Sequence, residues 1–179
     1  MASEYPQFMV DKWKLAFQFF DVSGDGLMTK QDLEQIADYI SMKTGASPEK
    51  AAQTRQEWVK WIKYLQPDPL VQVNEDRWIT TCAEFCRDTE SYARLLRAWA
   101  SDLFDSMDLN GDGQISFEEL KVFYGSVGLS NDGKIQKIFQ ELSNKLENFI
   151  SRESFVLDLV RHFSSSNPEH RPVFITQVK

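Results

Sequence analysis

The stretch Asp108–Glu119 constrains the fold of this chain more than any other. Its twelve residues place oxygen-bearing side chains at positions 1, 3, 5 and 9, a glycine at position 6 and a glutamate at position 12. A hard cation such as calcium takes roughly six to eight oxygen ligands, and a short loop with this spacing supplies them. The sequence therefore predicts a calcium-binding loop between two helices. The predicted ligands are Asp108, Asn110, Asp112, the backbone carbonyl of Gln114, Ser116 and Glu119.

A second copy of the spacing spans Asp21–Asp32, but it closes with aspartate instead of glutamate. Aspartate is one methylene shorter, so binding through both carboxylate oxygens requires a tighter loop. Monodentate coordination by the aspartate, with water as a further ligand, suits the smaller magnesium ion better. Magnesium is therefore expected to compete with calcium at this loop. The predicted ligands are Asp21, Ser23, Asp25, the backbone carbonyl of Leu27, Thr29 and Asp32.

An apolar pattern around these loops recurs four times along the chain. Two degenerate copies can be placed with loops that begin at Gln66 and Ser143. In all four copies, apolar residues stand four before the loop, directly before it, and at positions 8 and 13. These residues are Phe17, Phe20, Met28, Leu33, Ile62, Leu65, Val73, Trp78, Phe104, Met107, Ile115, Leu120, Phe139, Leu142, Ile150 and Phe155. The recurrence predicts four helix–loop–helix units, of which two bind metal.

The two degenerate loops lack the ligands that calcium requires. Leu70 replaces the acid at position 5 of the second loop, and Arg77 puts a cation at its closing position. In the fourth loop, Lys145 occupies position 3 and Ser154 occupies position 12. Neither loop is expected to bind calcium, so each is expected to support a metal-binding partner.

A single helix–loop–helix unit cannot bury its apolar face alone, so the units are expected to pair. The position-8 residues of paired loops then face each other across a short antiparallel bridge, which predicts contacts of Met28 with Val73 and of Ile115 with Ile150. The predicted fold is all-α. It comprises an N-terminal pair at 1–88, a C-terminal pair at 89–164, and a tail at 165–179 that packs on the body.

Composition excludes several classes of function. The net charge of -7 and the pI of about 4.9 argue against nucleic-acid binding, which requires a basic surface. No signal peptide or long apolar run is visible, and residue 2 is not the glycine that myristoylation requires. We therefore expect a cytoplasmic monomer without an integral membrane segment.

Catalytic and redox motifs are also missing from the sequence. Cys82 and Cys86 are four residues apart on a predicted helix, so they are expected to be packed free thiols and not a Cys-x-x-Cys site. The two histidines, His162 and His170, have no evident nucleophile or base partner. The sequence therefore predicts neither an enzyme nor a catalytic residue.

The two intact loops in units one and three, with degenerate units two and four, resemble the EF-hand superfamily over nearly the whole chain. Within it, Glu57-Trp58, Asn74–Trp78 and Ile150–Phe155 are similar to calexcitin and the invertebrate sarcoplasmic calcium-binding proteins. Coelenterazine luciferin-binding proteins share the layout, including a segment like Glu49–Glu57. The resemblance implies a compact helical body and a role in calcium buffering or calcium signalling.

Three functions remain open at this point. The main hypothesis is a calcium buffer, because the chain has five methionines, whereas calcium sensors commonly use methionine-rich grooves. The first alternative is a sensor of the calexcitin type that exposes an apolar surface to a protein target. The second alternative is a carrier of a small apolar ligand of the luciferin-binding type, because five Trp, five Tyr and 13 Phe could line a cavity.

Overall fold

The computed structural model describes residues 5–60, 73–143, 148–167 and 173–175. These ranges contain eight α-helices and four strands of two residues each. In chain order they are α1 Gln7–Phe20, β1 Leu27–Met28, α2 Lys30–Thr44, α3 Pro48–Val59, β2 Val73–Asn74, α4 Glu75–Phe85, α5 Thr89–Met107, β3 Gln114–Ile115, α6 Phe117–Ser126, α7 Asp132–Leu142, β4 Ile150–Ser151 and α8 Arg152–Ser164.

Local sequence signals fix several helix ends. Gly45 ends α2 with a φ of 63°, a left-handed conformation that glycine adopts without a steric penalty. Ser47 then accepts a hydrogen bond from the amide of Lys50, and Pro48 occupies the first position of α3. Asp88 caps α5 by accepting from the amide of Ser91. These short-range contacts set the ends of α2, α3 and α5.

The short strands join the four units into two pairs. Strand β1 pairs antiparallel with β2, and Met28 lies opposite Val73. Strand β3 pairs antiparallel with β4, and Ile115 lies opposite Ile150. Both predicted bridges are confirmed in register. The all-α fold with short antiparallel bridges between paired loops is therefore correct.

Helices of paired units pack side by side. In the N-terminal pair α1 packs on α4 and α2 packs on α3, and in the C-terminal pair α5 packs on α8 and α6 on α7. Fourteen of the sixteen recurrent apolar residues fall in the described ranges, and all of them are buried. They belong to one hydrophobic core that extends through both pairs. No helix of the described part of the chain is long and apolar enough to cross a membrane.

Six residues that carried sequence arguments cannot be compared with the structure. They are Ile62, Leu65, Gln66, Leu70, Lys145 and His170, which lie outside the described ranges.

Candidate metal-binding loops

The loop Asp108–Glu119 connects α5 to α6, and its first acid organises its turn. Asp108 Oδ1 accepts hydrogen bonds from the amides of Gly111 at 2.8 Å and Asp112 at 3.1 Å. Its Oδ2 accepts from the amide of Gly113 at 2.7 Å. Gly113 at position 6 has a φ of 80°, a left-handed conformation that favours a residue without a Cβ. The carboxylate at position 1 thus accepts hydrogen bonds from three backbone amides and stabilises the turn of the loop.

The closing acid connects both ends of this loop. Glu119 Oε1 accepts from the amides of Leu109 at 3.0 Å and Asn110 at 3.3 Å. Glu119 Oε2 accepts from the amide of Ser116 at 2.8 Å and from its hydroxyl at 2.7 Å. Ser116 and Glu119 also form the capping box of α6. The position of this carboxylate is therefore tied directly to the first turn of α6.

The middle of the loop holds the remaining predicted side-chain ligands close together. Asn110 Nδ2 donates to Asp112 Oδ2 at 3.1 Å, and Asn110 Oδ1 accepts from the amide of Asp112 at 2.9 Å. Asp112 Oδ1 accepts from the amide of Gln114 at 2.9 Å. Gln114 itself begins β3. All six predicted ligands therefore belong to one compact turn between two helices.

The loop Asp21–Asp32 repeats the first half of this arrangement. Asp21 Oδ1 accepts from the amide of Gly24 at 2.9 Å, and Oδ2 accepts from the amide of Gly26 at 3.1 Å. The hydroxyl of Ser23 donates to Asp21 Oδ1 at 3.2 Å. Asp21 is itself buried, as expected for a carboxylate that organises the loop from within.

Asp32 closes the first loop despite its shorter side chain. Its Oδ1 accepts from the amide of Ser23 at 3.0 Å, and its Oδ2 accepts from the amide of Thr29 at 2.8 Å and from its hydroxyl at 2.9 Å. Thr29 and Asp32 form the capping box of α2, as Ser116 and Glu119 do for α6. Asp32 and Glu119 are also both buried, at 1% and 8% exposure. The two loops are therefore closed by equivalent contacts.

The donor set of each loop consists of carboxylate, amide, hydroxyl and carbonyl oxygens, which suit a hard cation. Across the described ranges, no three acidic, histidine or cysteine side chains already stand as a group that could hold a metal ion. The carboxylate oxygens are instead directed at loop amides. Coordination of an ion by these oxygens would replace some of the hydrogen bonds at both closing acids.

In the two degenerate loops, the residue at position 9 caps the helix that follows. Ser151 Oγ accepts from the amide of Ser154 at 3.2 Å, and the two hydroxyls are 3.0 Å apart. Asn74 Oδ1 accepts from the amide of Arg77 at 2.9 Å and caps α4. These caps form without any carboxylate at position 12, so both partner units keep their helices and bridges without a ligand set.

A second feature is an apolar cleft where helices of the two pairs meet. It lies between α4, α5 and α8, and its volume is about 40 Å³. Trp99 and Phe163 contact each other edge to face at 5.5 Å between ring centroids, and Trp78 contacts Phe163 at 6.4 Å. Tyr92 and Leu95 of α5 also line the cleft. The cleft therefore presents mainly aromatic surface from both halves of the molecule.

Burial shifts the pKa values of three titratable groups at or near this cleft. Burial lowers the pKa of His162 to about 3, and the charge of Lys12 adds to this effect. His162 Nε2 lies 3.2 Å from the carbonyl oxygen of Lys12, and among the described residues its Nδ1 has no hydrogen-bond partner. Burial also raises the pKa of Cys82, and raises that of Cys86 to about 11. Both cysteines are free thiols.

Sequence analysis missed the residues that anchor the tail. Phe174 is completely buried; its amide donates to Asp158 Oδ2 at 3.1 Å, and its carbonyl accepts from the hydroxyl of Tyr124 at 2.7 Å. Burial raises the pKa of Asp158, which is consistent with its enclosed position. The helical spacing of Phe155, Asp158 and Leu159 was the available signal, because it puts an acid on the apolar face of α8.

Comparisons with known proteins agree with this architecture. The family model described as "EF hand" matches residues 101–124, which include the last seven residues of α5, the loop Asp108–Glu119 and most of α6. The luciferin-binding protein of Renilla reniformis is 28% identical over 148 residues, which cover 82% of this chain and 80% of that protein. The sarcoplasmic calcium-binding protein of Mizuhopecten yessoensis is 19% identical, with coverage of 83% and 85%.

A solved structure has the same fold. The coelenterazine-binding protein from Renilla muelleri, in its calcium-loaded apo form, superposes with a TM-score of 0.77 at 24% identity. The superposition covers 94% of this chain and 95% of that one. The paired helix–loop–helix units, the bridges between their loops and these similarities lead to one assignment: the chain belongs to the EF-hand superfamily.

Proposed function

We propose that this protein binds calcium in its two intact loops and carries a small apolar ligand between its two EF-hand pairs. The observation that carries this proposal is the aromatic cleft between α4, α5 and α8, because its walls come from both pairs. The similarity to the luciferin-binding and coelenterazine-binding proteins of Renilla supports the same function. Calcium buffering, the main hypothesis from sequence, is the second candidate.

The calcium ligands in this proposal are the twelve residues identified from the loop spacing. In both loops, backbone amides of the loop already donate hydrogen bonds to the carboxylates of the first and last acids. These acids are Asp21 and Asp32 in one loop, and Asp108 and Glu119 in the other. Calcium would replace several of these hydrogen bonds by direct coordination. Magnesium is expected to compete more strongly at Asp21–Asp32, where the closing side chain is shorter.

The ligand site must expand before it can hold a ligand of this class. A volume of about 40 Å³ is well below the roughly 300–1,000 Å³ of a typical small-molecule site. The walls of the cleft lie on separate helices, so outward movement of α5 or α8 would enlarge it. Calcium-driven shifts of the EF-hand helices would then change the affinity for the ligand.

The proposal is tested by titrating the protein with coelenterazine, with and without calcium, and following tryptophan fluorescence. Trp78 and Trp99 line the cleft, so a bound aromatic ligand is expected to quench their emission. Leu95→Trp would narrow the cleft and is expected to weaken binding by at least about tenfold, or about 1.4 kcal/mol.

Ala98→Trp is the matched control for this experiment. Ala98 lies on the same helix but is exposed, so the added ring meets solvent and not the cleft. Equal affinities of both variants for coelenterazine, or no binding by the unmodified protein, would contradict the carrier function.

The closed core is the specific observation that favours the second candidate. Large apolar side chains fill the interior, including Trp13, Phe19, Trp58, Phe104 and Phe123, each less than 2% exposed. A calcium buffer needs no opening of this core. Calorimetric calcium binding at physiological magnesium, with no coelenterazine binding and no rise in hydrophobic-dye fluorescence, would support buffering over transport.

A further inference from the structure

We propose that the two calcium loops are energetically coupled through α6, the helix that follows the loop Asp108–Glu119. This inference rests on the calcium binding proposed above, but it does not depend on any apolar ligand. Glu119 is in the first turn of α6, so a change in what its carboxylate binds, from loop amides to an ion, affects the position of the helix. The second half of α6 lies against three helices of the N-terminal pair.

Three consecutive residues of α6 make these contacts. The ring of Phe123 is stacked on Trp58 of α3, with centroids 6.0 Å apart and planes inclined by 17°. The rings of Phe123 and Tyr124 lie 5.9 Å and 6.1 Å from the ring of Phe19 on α1. Gly125 faces α2 so closely that an added Cβ would collide with the hydroxyl group of Tyr39.

Two of these neighbours belong to the unit that contains the other calcium loop. Phe19 is two residues before Asp21, the first ligand of that loop, and Tyr39 lies on the helix whose first turn contains Asp32. The contact of α2 with α6 is also the most extensive helix contact between the two halves across the described ranges. A shift of α6 must therefore be accommodated by both helices of unit one.

The bridges between loops do not provide an equivalent connection. Strands β1 and β2 form one sheet and β3 and β4 form another, so each bridge joins an intact loop to a degenerate one. Neither sheet connects the two intact loops. Across the described ranges, the helix contacts through α6 are the most extensive connection between the units that contain them.

The expected coupling is positive. An ion that binds both the loop and its closing carboxylate restricts the helix that follows. When the position of α6 is fixed, the movement of α1 and α2, which pack against it, is restricted as well. The second ion then binds to the loop between α1 and α2 at a lower ordering cost. Sharing an ordering cost in this way raises the affinity of the second site. By thermodynamic reciprocity, each site must change the affinity of the other by the same factor.

Calcium calorimetry of single-site variants tests the coupling. Glu119→Gln disables the loop Asp108–Glu119 and is expected to weaken calcium binding at Asp21–Asp32 by about fivefold, the low end of common coupling factors. Asp32→Asn, which disables the first loop, is expected to weaken the other site by the same factor. Comparison with the stepwise constants of the unmodified protein gives the coupling.

The route is tested by removing one ring from α6 in each of these backgrounds. Phe123→Leu keeps an apolar side chain but loses the contacts with Phe19 and Trp58, so the fivefold factor is expected to approach one. Phe139→Leu is the matched control, because Phe139 contacts Phe117 inside the C-terminal pair, at 5.6 Å between ring centroids. Its coupling factor is expected to stay near five. Circular dichroism and the melting temperature verify that each variant folds.

Three outcomes would overturn the inference or its basis. Site affinities that stay within about twofold when the other loop is disabled would show that the sites are independent. Loss of coupling in Phe139→Leu but not in Phe123→Leu would place the connection elsewhere. An absence of calcium binding by the unmodified protein would instead contradict the proposed calcium function, which distinguishes the two failures.

Discussion

At the scale of single residues, the closing acids have two roles. Asp32 and Glu119 each complete a capping box, and each also bonds to amides near the start of its loop. The first role is local and requires only a carboxylate three residues after a serine or threonine. The second role depends on the length of the side chain, so the difference between aspartate and glutamate is expected to affect metal selectivity.

Replacing Asp32 by Glu is expected to raise the preference of the first loop for calcium over magnesium. The longer side chain allows both oxygens to bind a large ion, and magnesium does not gain from a seventh ligand. The predicted change is about tenfold in the ratio of dissociation constants, or about 1.4 kcal/mol. Calorimetric titration with each ion in the Glu119→Gln background isolates this site. An unchanged ratio would show that position 12 does not determine the selectivity.

At the scale of one element, α8 illustrates how polar residues occupy an apolar face. Phe155, Asp158, Leu159 and His162 follow helical spacing, and Asp158 and His162 are enclosed together with their apolar neighbours. Each polar side chain bonds to backbone from a distant part of the chain, either the tail or α1. These buried polar contacts make the stability of the helix packing depend on pH.

Because His162 is buried, we expect the free energy of unfolding to decrease in acid. Burial lowers its pKa from 6.5 to about 3 in the folded protein, while the unfolded chain binds the proton near the ordinary value. Between these values the unfolded state holds more protons, so the free energy of unfolding decreases as the pH falls from 6.5 towards 3. The limiting slope is about 1.4 kcal/mol per pH unit for one group.

Urea unfolding of the metal-free protein and of His162→Gln at several pH values measures this effect. Glutamine keeps a hydrogen-bonding side chain but does not titrate, so its stability is expected to fall less steeply in this range. The opposite contribution of Asp158, whose pKa is raised, is present in both proteins and cancels in the difference. If the free energies of unfolding of the two proteins decreased equally with falling pH, His162 would not be the group responsible for the loss of stability in acid.

At the scale of the whole molecule, Phe174 near the end of the chain completes a core shared by both pairs. The ring of Phe174 lies 4.7 Å from that of Phe155, 5.2 Å from that of Phe123 and 5.8 Å from that of Phe19, measured between centroids. These rings belong to α8, α6 and α1, so one tail residue contacts helices of both halves. Its backbone is held by Asp158 and Tyr124 on opposite sides. Phe174 is therefore part of the shared hydrophobic core.

Phe174→Ala is expected to destabilise the protein strongly. Removing a buried ring leaves a cavity, and the usual cost is about 3–5 kcal/mol. For a chain of this size the melting temperature should fall by roughly 10 °C. Val173→Ala, at the half-buried neighbouring position, is expected to cost less than about 1 kcal/mol. Equal small losses in calorimetry would mean that the tail contributes little to the core.

Short-range patterns made much of the fold predictable. The loop spacing located both intact turns, and the residues at position 8 identified both strand bridges in register. The serines, asparagine, aspartate and glycine at helix ends marked the boundaries. Each of these features involves residues within about one loop or one helical turn, where hydrogen-bond geometry and residue spacing suffice.

The sequence by itself determined the repeated apolar pattern, the pairing of loops across their short bridges and the two turns that an acid closes. Only the tertiary structure decided how α6 enters the N-terminal pair, where Trp78, Trp99 and Phe163 meet, and why Asp158 and Tyr124 receive the tail. The physical reason is distance along the chain. An amphipathic helix specifies which face is buried, but its partner is chosen by the fit of whole surfaces when the two pairs dock.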